Sequence, residues 1–146
     1  MKLRRAATIA AATLAVGLAG PLQAETIHYA TALNGASEVP PNTTSGSGAV
    51  QADLDTATRT FTYTITYSGL TGPAVAAHFH GPAAAGANAP PVIAIKDLAS
   101  PIKGSAVLTA DQMADQMADL QAGKWYFNVH TKAHPGGEIR GQLTTR

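Results

Sequence analysis

The chain has 146 residues, no cysteine and a formal net charge of +1. The missing cysteines exclude disulfide staples, thiolate metal sites and a lipid anchor on Cys, so any metal must be held by His, Asp, Glu, Met or backbone oxygen. Beyond the first residues there is no Lys/Arg cluster, so neither nucleic acid nor an anionic membrane surface is expected as a partner.

Residues 1–24 read as a secretory signal peptide. Lys2, Arg4 and Arg5 form a positive start, an apolar run follows from Ala6 to Gly20, and Ala24 offers a small residue for cleavage. The apolar run is shorter than the ~20 residues of a spanning helix, which argues against a membrane anchor. Arg4-Arg5 raises twin-arginine export, but the residues after the pair fit that signal poorly. Removal of the leader takes three basic residues with it and leaves seven against nine acidic ones. The expected product is a periplasmic or secreted domain, 25–146, with no membrane contact after cleavage and with enough chain to bury a core unaided.

Along that domain, short apolar and β-branched runs alternate with turn signals, the spacing of an all-β sandwich or barrel. The first strand is expected at Thr26–Leu33 and the second at Ala49–Asp55, separated by the Gly/Pro/Ser/Asn-rich loop "NGASEVPPNTTSGSG". In "RTFTYTITYSGL", Phe61, Tyr63, Ile65 and Tyr67 alternate with threonines, so one face buries aromatics. "AVAAHFH", "PVIAIKDL", "KGSAVLT", "KWYFNVHT" and "GEIRGQLTT" complete the strands. One segment departs from this pattern. "TADQMADQMADLQAG" places Met113, Met117 and Leu120 at helical spacing, with Thr109 and Gln112 as a capping box and Gly123 at the stop. One short helix is predicted near 110–122, with its methionines in the core rather than on a soft metal.

Four of the five histidines gather at two strand ends. In "VAAHFH", Val75, Ala77 and Phe79 make the core face, so His78 and His80 point together to the other side, about 7 Å apart at Cα. In "WYFNVHT", Trp125, Phe127 and Val129 are the apolar set, while Tyr126, Asn128 and His130 share the opposite face. His134 follows in a Pro-Gly-Gly turn. If the two strands are neighbours, His78, His80, His130 and His134 can converge on one ion, and an all-imidazole donor set suits copper or zinc rather than calcium or magnesium. His28 stands alone and is read as structural. Glu138 and Arg140 share one strand face, with Ile139 and Leu143 on the core side. Glu138 is either a carboxylate that orients a ligand imidazole or part of an ion-pair face in which Glu38 or an aspartate lies opposite Arg140. Asn128 and Tyr126 are lesser candidates for the same supporting role.

"LNGASEVPP", "YSGLTGPAVAAHFHGPAAAG" and "LQAGKWYFNVHTKAHPGGEIRGQL" resemble, in this order, the CHRD domain, named for its repeats in chordin and found singly in exported bacterial proteins. The resemblance spans nearly all of 25–146. It implies an immunoglobulin-like Greek-key β-sandwich or barrel and little about chemistry; chordin's growth-factor ligands do not transfer to a lone domain with a bacterial-type leader. His78, His80 and His130 lie inside the family's motifs, whereas His134 falls where asparagine also occurs. "HFH" also looks like the His-x-His of copper-zinc superoxide dismutases, but the disulfide, the zinc loop and the later histidine spacing of those enzymes are missing.

No nucleophile has a visible base, no glycine loop cradles phosphate, and no carboxylate pair is set for glycoside hydrolysis. Three functions remain open. One is a metal-binding protein for metal handling or redox protection. The second is a metal-free extracellular interaction or adhesion module with a protein partner. The third is a copper-dependent enzyme of superoxide-dismutase type. Intact-mass measurement of the exported protein should show loss of residues 1–24; retention of Met1 would overturn the leader assignment.

Overall fold

The alternating segments do become strands. The computed structural model describes residues 24–110 and 113–146. The expected leader therefore lies outside the described residues, except for Ala24. The strands are β1 (Thr26–Asn34), β2 (Ser47–Asp55), β3 (Thr60–Ser68), β4 (Ala74–His80), β5 (Pro91–Ala94), β6 (Ile102–Val107), β7 (Tyr126–Thr131), β8 (Ile139–Gln142) and β9 (Thr144–Thr145). They form one antiparallel sheet in the order β5-β4-β7-β8-β1-β2-β3-β6, with β9 pairing β1. The sheet curls on itself into a nearly closed all-β barrel or sandwich, as expected.

The helix α1 runs Met113–Gln121. Gln112 lies outside the described residues, so the expected capping box does too. The C-terminal stop follows the sequence reading. Gly123 takes a left-handed φ of 66°, where a side chain is disfavoured, and its N–H donates to Leu120 O at 3.0 Å. Leu120 is fully buried and Met117 packs against the core.

The core is aromatic. Phe61, Phe79, Phe127 and Trp125 are buried. Phe79 stands between Phe61, edge-on at 5.2 Å, and Phe127 at 4.8 Å, while Trp125 meets Phe61 at 5.8 Å. These are favourable ring separations for T-shaped and tilted pairs. Ile65 is buried from the same face of β3 as Phe61. One strand-face reading is corrected. Val75, assigned to the core by alternation, is 49% exposed. The pairing of β4 with β7 shifts register between Ala74 and Ala76, and such a bulge turns the local alternation over. Ala74 packs on the core in its place.

At one end of the barrel, three chain segments meet on a single buried carboxylate. Glu138 accepts hydrogen bonds from the hydroxyls of Thr44 (2.6 Å), Thr71 (2.8 Å) and Thr131 (2.6 Å) and from the Thr71 N–H (2.8 Å). Burial alone would raise its pKa, but these four donors outweigh burial and lower it to about 2. Glu138 therefore orients no imidazole and joins no ion pair among the described residues. It ties the loop before β2 and the β3–β4 connection to the end of β7.

Two tests follow. Phe127→Ala should lower unfolding stability by about 3–5 kcal/mol, as large aromatic core deletions do, and native Trp125 fluorescence should be blue-shifted. Glu138→Gln should cost at least about 1.5–3 kcal/mol at pH 7, the worth of one charge-assisted hydrogen bond. Because the folded pKa lies below the unfolded value, the Glu138 contribution is complete above pH 4.5 and is lost as pH falls towards 2. Denaturant melts across that window should slope more steeply in the wild type than in the variant.

Candidate metal centre

β4 and β7 are direct neighbours, and their register places the candidate ligands. His78 lies opposite Asn128, His80 opposite Tyr126, and His130 opposite Ala76. His130 is thus the diagonal neighbour of His78 on the same face, within reach of long side chains. One ring nitrogen from each of His78, His80 and His130 lies within 4.8 Å of the others. The closest pair is His78 Nδ1 and His130 Nε2, at 3.3 Å.

Backbone carbonyls fix two of the rings. His130 Nδ1 lies 3.0 Å from Pro135 O. A carbonyl only accepts, so Nδ1 carries the proton and a neutral ring keeps its Nε2 lone pair for the His78 side. His80 Nδ1 likewise donates to Ala89 O at 2.9 Å. Its Nε2 meets the Asn128 carboxamide, 3.0 Å from Oδ1, so ligation through that nitrogen requires the ring to leave Asn128. Burial lowers the pKa of His78, and the neighbouring His130 and His80 lower it further. Burial is also the main influence on His80 and holds it below the ordinary range, against the raising effect of its hydrogen bonds to Ala89 and Asn128. Both shifts favour the neutral ring, the state that ligation needs.

His134 stands outside this group of three. Its backbone shapes the turn instead: its N–H donates to Thr131 O at 3.2 Å, and its carbonyl accepts from Gly137 N at 3.1 Å. That turn delivers Pro135 O to His130. His28 is not in the group and has a cross-strand partner that the linear sequence hides, Asp53 at 2.6 Å on the exposed face.

The non-core face of β4, β7 and β8 is not an open surface. Glu38, His80, Tyr126, Asn128 and Arg140 are all buried on it. His80 stacks on Tyr126 with ring centroids 4.7 Å apart and planes 3° from parallel. On Tyr126 also rests the Arg140 guanidinium, 3.4 Å from the ring centroid. Arg140 donates to Asn88 Oδ1 at 2.9 Å and Ala87 O at 2.6 Å, so the expected ion pair with Glu38 is replaced by loop acceptors. Burial pushes the Glu38 carboxyl up to about 7, against the lowering pull of Arg140, the Val39 N–H and Asn128. Sequence alternation missed this layer because the covering residues lie in loops 35–42 and 81–90. Gly81 was the available signal: a Cβ there would sit 2.5 Å from Trp125 Cδ1, so only glycine lets the chain turn back across the strand ends.

No curated protein and no solved structure matches the chain. The CHRD domain family does, over residues 29–143, a span that contains the strands of the core and all three clustered histidines. With most of its length accounted for in this way, the chain belongs to the CHRD domain family.

Proposed function

We propose that this protein is an exported metal-binding domain that takes copper or zinc through His78, His80 and His130 and serves in metal handling or redox protection. The observation that carries the reading is the 3.3 Å separation of His78 Nδ1 and His130 Nε2. Two nitrogens at ~2.0–2.1 Å from a shared tetrahedral ion lie roughly 3.3–3.4 Å apart. The pair is thus spaced as one edge of such a site. His80 is the third arm, to be released from Asn128 on loading. The Pro135 and Ala89 carbonyls supply the outer hydrogen bonds that orient ligand imidazoles. Three imidazoles without a thiolate favour copper and zinc, with copper stronger on affinity alone. Of the four histidines expected from sequence, His134 is left as a turn residue.

Calorimetric titration with Zn(II) and with Cu(II) tests this reading. The wild type should bind one ion. His78→Ala and His130→Ala should each weaken binding by more than tenfold, while His134→Ala should stay within about threefold. Affinity should be flat from pH 8 to 7 and fall as pH drops below the ordinary histidine value near 6.5. Equal binding by wild type and the double variant His78→Ala/His130→Ala would overturn the proposal.

A further inference from the structure

The barrel has a seam. β5 and β6 end the strand order, and each pairs on one side only, β5 with β4 and β6 with β3. β5 and the last two residues of β6, Ala106 and Val107, line one groove of about 770 Å³, together with Trp125 and with Asp115 and Asp119 of α1. That volume lies within the range of ligand clefts. The groove walls combine half-buried Val92 and Ile93 with Val107, which at 65% exposure is one of two large exposed hydrophobic residues among those described. Free strand edges beside apolar side chains are a template for another strand.

One carboxylate of the groove is left without a cation among the described residues. Asp115 is exposed and in no ion pair among the described residues; Asp119 lies 3.6 Å from Lys124 Nζ. The direction of the strands narrows the occupant further. Eight strands alternate direction around the order, so β5 and β6 run opposite ways, and a single added strand can be antiparallel to only one of them. β6 is the better template, because β5 begins with Pro91 and so lacks one N–H for a ladder, whereas β6 continues through Val107 with no proline.

We propose that this groove binds an extended peptide segment of a partner protein, added antiparallel to β6, with alternate apolar side chains against Val92 and Val107 and a basic side chain at Asp115. Main-chain bonds supply the affinity and the pockets supply the choice of sequence, as in other cases of strand addition. The site is separate from the histidine cluster and does not depend on metal.

The test uses the ¹⁵N-labelled chain and the capped hexapeptide Thr-Lys-Val-Thr-Val-Thr. Amide shifts should saturate and concentrate in residues 91–94 and 106–109. A peptide N-methylated at alternate amides should bind at least tenfold more weakly, because it cannot complete the ladder. Asp115→Lys, an exposed change, should weaken the Lys peptide severalfold and favour a Glu-for-Lys version of it. Shifts that do not saturate or that lie elsewhere, equal binding of the N-methylated peptide, or indifference to the charge swap would each overturn the proposal.

Discussion

The antiparallel ladder between β4 and β7 sets Phe79 against Phe127 on one face and His80 against Tyr126 on the other. Core and site are therefore two sides of the same pairing. A one-residue slip would carry the phenyl rings outward and the imidazoles inward, since the side-chain period is two. The Phe61–Phe79–Phe127 contacts oppose such a slip, because burying large aromatics is worth several kcal/mol. The histidine geometry thus rests on hydrophobic packing behind the strand rather than on any contact between the rings.

Two buried glutamates show how differently the fold treats the same group. Glu138 has four donors around it and remains ionised, at about 2. Glu38 keeps one buried oxygen without a partner, and its carboxyl rises to about 7. Burial raises both carboxyls; at Glu138 four donors outweigh it, whereas at Glu38 the Val39 N–H, Asn128 and the nearby Arg140 do not. Glu138 sits where loops must be held, and Glu38 sits behind Asn128, the residue that meets His80. Stability is thereby concentrated at the barrel end, while the polar layer beside the histidines keeps unsatisfied hydrogen-bonding capacity.

β4 also links the two surfaces of functional interest. Its partner β7 completes the histidine group, and its partner β5 forms one wall of the seam. A short β5 with proline at its start leaves that wall incompletely paired, which is how natural sheets limit unwanted strand addition while keeping an edge available.

The strands, the helix α1 and the inward aromatics were legible in the sequence because they depend on local periodicity: Phe61 and Ile65 alternate with threonine, and Leu120 follows Met117 at helical spacing. Periodicity likewise put His78, His80 and His130 on non-core faces. It could not show that β4 and β7 are neighbours, which depends on pairing across some fifty residues. Nor could it foresee the bulge that exposes Val75, the threonine hydroxyls that claim Glu138, or the loop that buries His80 and Arg140. Each of these arises from segments distant in sequence competing for the same hydrogen bonds and the same buried volume. Face and residue type are fixed along the chain; partners are fixed only by its closure into a barrel.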